Sequence, residues 1–120
     1  MSKISKKIGW NGEELATDFL KKQGYRIIAR NFQLKVAEVD IIAEDAGTLV
    51  FLEVKNYRAD SLVEPLELIT PQKRRRLMQA AQIYLATVAK ASRNVRFDLV
   101  VLRHDVRGQV SSLELFKNIF

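Results

Sequence analysis

Two hydrophobic rhythms alternate along the chain. From Ile8 to Gln23 the positions Ile8, Gly12, Leu15, Ala16, Phe19 and Leu20 recur every three or four residues, which predicts a helix with one apolar stripe. Gly24 stands where a glycine ends a helix. Tyr25 to Phe32 is rich in β-formers and predicts a strand, followed by a second from Glu38 to Glu44 and a third from Thr48 to Lys55. Asp45-Ala46-Gly47 between the last two is short enough for the turn of an antiparallel hairpin. Asn56 to Pro71 holds both prolines and predicts a loop. Pro71 suits the first position of a second helix, whose stripe is Leu77, Ala81, Tyr84, Leu85 and Val88 and which runs to about Lys90. Val95 to Arg103 is almost wholly apolar outside its ends and predicts a strand inside the sheet. A turn at Asp105–Gly108 leads to a last strand, Val110–Phe116. The order is α-β-β-β-α-β-β, an α/β fold, with no repeat or linker to divide residues 1–120 into more than one domain.

Composition narrows the chemistry. Cysteine is absent, which removes disulfides, thiolate zinc sites and cysteine nucleophiles and fits a cytoplasmic protein. One histidine, His104, excludes multi-histidine metal sites. Any chemistry therefore falls to carboxylates, lysine or hydroxyls, and oxygen ligands favour magnesium or manganese. Twenty Lys and Arg against fourteen Asp and Glu give a net charge of +6, which favours a polyanionic partner, nucleic acid first. No apolar run is long enough to span a bilayer, and the basic Met1–Lys7 lacks the apolar segment of a secretory signal and reads as a frayed arm.

Four groups of residues carry candidate chemistry. In the third strand Phe51, Glu53 and Lys55 share one face and Val50, Leu52 and Val54 the other, so a glutamate and a lysine point the same way at the end of an otherwise buried strand. The hairpin brings Asp40 close to Glu53, and two carboxylates in a partly dry site repel unless a cation joins them. Solvated strand ends would explain both residues without any site. On the first helix Glu13 lies at the edge of the apolar stripe and faces the hairpin, or else pairs with an arginine, while Glu14 falls on the polar face. At the second helix start, Gln72, Lys73, Arg74, Arg75 and Arg76 add side-chain charge to the positive end of the helix dipole, a setting for phosphate. The three arginines fit a solvated basic face equally well.

Gly12-Glu13-Glu14-Leu15-Ala16, Gly24-Tyr25-Arg26-Ile27, Arg30-Asn31-Phe32, Glu38-Val39-Asp40-Ile41-Ile42-Ala43, Leu49 to Lys55, Lys73 with Arg76-Leu77, and Arg96-Phe97-Asp98-Leu99-Val100 together cover nearly the whole chain. In that order and spacing they resemble the YraN-like family of uncharacterised bacterial proteins, of the PD-(D/E)xK nuclease fold and close to archaeal Holliday-junction resolvases. The resemblance implies an αβββαβ restriction-endonuclease-like core, a central mixed sheet flanked by helices. It implies Mg2+ or Mn2+ held by Glu13, Asp40 and Glu53, with the Val54 carbonyl as a further ligand, and Lys55 orienting the attacking water and stabilising the phosphorane. The metal would supply Lewis acidity and lower the pKa of that water. Two departures touch the loops: Ala37 stands where the family usually has glycine, and Asn56-Tyr57 intervenes before Arg58, a phosphate-contact candidate.

The expected function is a magnesium-dependent DNA endonuclease, acting on branched or recombining DNA. The alternatives are a nucleic-acid-binding protein that keeps the fold without cutting, and an adaptor whose basic patch meets an acidic protein or anionic membrane. Trp10, Phe51 and Tyr57 are candidates for stacking on bases, or for the core. Leu113 to Phe120 offers a homodimer interface, or caps the core.

Overall fold

The computed structural model describes the backbone of residues 2–35, 37–89 and 93–120, with side chains from residue 12 onward except residue 68. Helix α1 (Ser2–Lys22) leads into strands β1 (Arg26–Gln33), β2 (Glu38–Asp45) and β3 (Thr48–Arg58), then helix α2 (Pro71–Tyr84) and strands β4 (Val95–His104) and β5 (Val110–Phe116). The five strands form one sheet in chain order. All neighbours are antiparallel except β3 and β4, which are parallel because α2 carries the chain back across the sheet between them. The result is the α/β order that the pattern predicts and the mixed sheet with flanking helices that the resemblance implies, consistent with a restriction-endonuclease-like core.

The turn that starts this architecture has positive φ at both central residues, Ala46 (50°) and Gly47 (86°), the type I′ geometry whose twist suits a hairpin. It sets Ile42 opposite Phe51 and Ile41 opposite Leu52. Alternation then gives the sheet two apolar faces. Ala16 and Leu20 of α1 pack on Ile41, Val50, Leu52 and Leu102. Leu77, Ala80, Ala81 and Tyr84 of α2 pack on Ile42, Leu49 and Phe51, with the Tyr84 ring edge-on to Phe51 at 5.7 Å. Each such large side chain, removed from water, contributes about 1.5–3 kcal/mol.

Asp98 is a carboxylate with no exposed surface in β4. It accepts hydrogen bonds from the Tyr25 hydroxyl (2.7 Å), from Arg96 Nε (2.9 Å) and from the backbone N–H of Asn118 (2.9 Å). Arg96 also reaches Asp45 at 2.9 Å, so this network ties the hairpin turn and the C-terminal segment to β4.

Several boundaries differ from the pattern. Helix α1 starts at Ser2, so Ser2–Lys7 is not a frayed arm; that segment has no proline or glycine to break a helix, and Met1 lies outside the described residues. Strand β3 runs on to Arg58, because Asn56, Tyr57 and Arg58 continue the parallel ladder opposite Leu102, Arg103 and His104. Helix α2 gives way to a π-helical turn, Leu85–Ala89, which rotates Val88 off the buried stripe and leaves it 52% exposed; Lys90 lies outside the described residues. The C-terminal segment is spent on its own chain: the Phe120 ring stacks on Phe97 at 4.6 Å, and Leu113 and Leu115 pack against the α1 core. Among the described residues no helix is long and apolar enough to cross a membrane.

Candidate functional site

Carried one step past Ile41–Leu52, the β2–β3 register sets Asp40 opposite Glu53. Asp40 shares the parity of Ile42, and Glu53 and Lys55 that of Phe51, so all three point to the face that α2 covers. Helix α2 begins short of them. The gap is a cavity of about 510 Å³ whose lining includes Asp40, Glu53, Lys55, Gln72, Lys73 and Arg76. One Asp40 oxygen accepts the backbone N–H of Val54 at 2.8 Å, which fixes the carboxylate against β3.

The other wall is set by a helix cap. Thr70 is extended at the N-cap, its hydroxyl accepts the Lys73 backbone N–H at 3.2 Å, and Pro71 occupies the first turn. That start aims Lys73 at the sheet, with its Nζ 3.0 Å from Glu53 Oε1. Lys55 Nζ lies 3.9 Å from Glu53 Oε2. Two lysines and two carboxylates thus meet in a partly dry pocket.

Their proton affinities reflect this crowding. Burial, then the charge of Glu53 and a shared hydrogen bond with it, pushes Asp40 up to about 7; the Val54 N–H pulls the other way, and Glu13 adds negative charge from farther off. Burial and the neighbouring Lys73 lower Lys55, against the pull of Glu53 and Asp40. Burial alone would also lower Lys73, but its hydrogen bonds to Lys55 and Glu53 outweigh that and raise it.

Glu13 is not brought to the pair. Helix α1 lies on the opposite face of the sheet, and Glu13 turns to β1, where Arg30 Nη2 is 3.5 Å and Asn31 Nδ2 is 3.2 Å from its Oε2. Asn31 has positive φ (53°), which swings its amide toward α1. Among the described residues no three carboxylate or imidazole side chains are grouped closely enough to hold one ion. The expected three-carboxylate cluster is therefore not assembled, and Glu13 takes the alternative of an arginine partner. Asp40, Glu53 and Val54 do fit a magnesium-type ion, which uses one or two carboxylates and leaves its other positions to water and phosphate oxygens.

The remaining candidates divide. Gln72 and Arg76 line the cavity, and Arg75 is exposed beside them on α2. Arg74 instead lies over the Phe120 ring at 5.4 Å, and Arg58 pairs with Asp60 at 3.1 Å at the exposed end of β3. Phe51 is core and out of reach of any base. Tyr57 continues the Glu53–Lys55 face, with Arg103 over its ring at 5.9 Å. The side chain of Trp10 lies outside the described residues. Sequence reasoning missed Thr70, although a threonine directly before proline and a helical stripe is a capping signal.

Comparison with known proteins gives one consistent answer. The sequence model of "Uncharacterised protein family UPF0102" matches residues 12–102, a span that includes Glu13, Asp40, Glu53, Lys55 and Lys73. A UPF0102 protein of Desulfosudis oleivorans is 44% identical over 112 residues, covering 93% of this chain and 88% of its own. One of Caldicellulosiruptor saccharolyticus is 41% identical over 115 residues, covering 96% of this chain and 98% of its own. One of Clostridium perfringens is 35% identical over 120 residues, covering 100% of this chain and 98% of its own. The chain belongs to the uncharacterised protein family UPF0102, the YraN family, which is PD-(D/E)xK nuclease-like.

Proposed function

We propose that the chain is a Mg2+- or Mn2+-dependent DNA endonuclease that hydrolyses phosphodiester bonds, with branched or recombining DNA in the cytoplasm as its substrate. The observation that carries this reading is the pairing of Asp40 with Glu53 across the hairpin, facing a cavity that Lys55 also lines and whose other wall carries Lys73 and Arg76. A binding surface alone has no use for two carboxylates set against a phosphate backbone. Asp40 and Glu53 hold the cation, with the Val54 carbonyl beside them. The cation supplies Lewis acidity and neutralises charge on the phosphoryl group. Lys55 orients the attacking water and donates to the phosphoryl oxygens, where charge grows in the transition state. Gln72, Lys73 and Arg76 hold the phosphates on either side. Small nucleases that act on duplex DNA often work as dimers, one copy to each strand, so the reading includes a homodimer, which light scattering tests; a monomer at high concentration counts against it.

One observation favours a second reading, a DNA-binding protein that keeps the fold without cutting: Glu13 is held by Arg30 and Asn31, away from the pair. Incubation of plasmid and four-way-junction DNA with Mg2+ or Mn2+ separates the two. The nuclease reading expects metal-dependent cutting that is lost in Asp40→Asn and Glu53→Gln while DNA binding persists. Cutting that survives both substitutions removes the site, and salt-dependent binding with no cutting under any condition establishes the second reading.

A further inference from the structure

Lys73 sits where its own helix least favours a cation. It follows Pro71 and Gln72 in the first turn of α2, whose N-terminal end carries positive partial charge, and that turn holds no acidic residue. Propensity would place aspartate or glutamate there, so the compensation must come from outside the helix. It comes from Glu53, 3.0 Å away on a side chain only 8% exposed, while Lys73 keeps 28% of its own surface in the open cavity. Lys55 is the more distant partner at 3.9 Å. Asp40, immediately beside, makes no ion pair among the described residues. The charge of the pair is thus balanced by two ammonium groups, and the nearer of them is the one reached from another element.

We propose that Lys73 is a place-holder: without metal its ammonium occupies the Glu53 oxygen that a divalent cation would use, and it gives up that oxygen when the cation enters, turning to the phosphate of the bound strand. This rests on the reading of Asp40 and Glu53 as the cation site. Cation and DNA then bind with positive coupling. Phosphate gives Lys73 a new partner and frees Glu53, and by linkage the cation strengthens phosphate binding to the same degree. In the absence of DNA the site is a weak one for metal, because entry requires an ion pair to be broken.

The test is Mn2+ binding to the full-length protein without DNA, by calorimetry, with melting in EDTA as the check on folding. Lys73→Met is expected to bind Mn2+ more tightly by at least about tenfold, since removing one cation from beside a divalent site gains that much even where solvent screens the pair as well as bulk water does. Lys73→Gln is expected to do the same if the methionine variant fails to fold, and Lys73→Arg, which keeps the charge, to stay at the wild-type affinity. Unchanged or weaker binding in the neutral variants, or equal tightening in Lys73→Arg, overturns the place-holder while an Asp40-dependent site still stands. Binding that is the same in Asp40→Asn as in wild type, or absent from both wild type and Lys73→Met, removes the cation site and the place-holder together.

Discussion

Asp40→Asn is expected to make the metal-free protein more stable at alkaline pH while it abolishes the proposed activity. The carboxyl moves from an ordinary 3.8 up to about 7 on folding, mainly through burial and the proximity of Glu53. The difference, 7 − 3.8, is about 3 pKa units, or roughly 4 kcal/mol at the full exchange rate. Solvent in the cavity and rearrangement of Lys55 and Lys73 reduce that ceiling, and about 1–2 kcal/mol is a fair expectation for a partly exposed group. Because the folded pKa is the higher one, the native state holds this proton more tightly than the unfolded chain. The associated stability is complete below about pH 4 and is lost as pH rises through about 7. Asparagine still offers an oxygen to the Val54 N–H but carries no charge, so it escapes the loss. In EDTA at pH 8.5 the variant should melt higher by about 4–8 °C, on the scale for a domain of this size, and the gap should narrow toward pH 5. Thermal melts followed by circular dichroism at the two pH values decide it. A variant that melts lower than wild type at pH 8.5, or a gap that does not depend on pH, refutes the reasoning.

Three further expectations test other parts of the account. Asp98→Ala leaves the Tyr25 hydroxyl and the Asn118 N–H without their acceptor and Arg96 with Asp45 as its remaining carboxylate, and should cost about 2–4 kcal/mol by urea denaturation; a loss under about 1 kcal/mol contradicts the network's role. Ala46→Gly relieves a left-handed residue in the hairpin turn and should stabilise by about 1 kcal/mol, and a lowered melting temperature speaks against the type I′ geometry. Arg75→Gln with Arg76→Gln should make the log–log salt dependence of DNA affinity shallower by about two units, and an unchanged slope shows that neither arginine meets a phosphate.

Strand chemistry was the legible part of the site. A period of two is rigid, so Glu53 and Lys55 had to share a face, and the short turn at Asp45–Gly47 had to set Asp40 near Glu53. The helices were harder to place. Glu13 sits on the edge of its stripe in either reading, and only the docking of α1 on the far face, with Arg30 and Asn31 waiting on β1, decides its partner. Lys73 was visible as a polar residue leading a buried stripe, but its contact with Glu53 depends on the Thr70 cap. The Tyr25–Asp98 hydrogen bond joins residues 73 apart, which no local pattern encodes. Val88 failed because a π turn changes the period that located it.

The claim on which everything else depends is that Asp40 and Glu53 together bind a divalent cation. Diffraction from crystals soaked in Mn2+, collected where manganese scatters anomalously, addresses it directly. The account predicts an anomalous peak between the two carboxylates, absent from Asp40→Asn crystals. A peak elsewhere, or none at that place in well-occupied crystals, contradicts it.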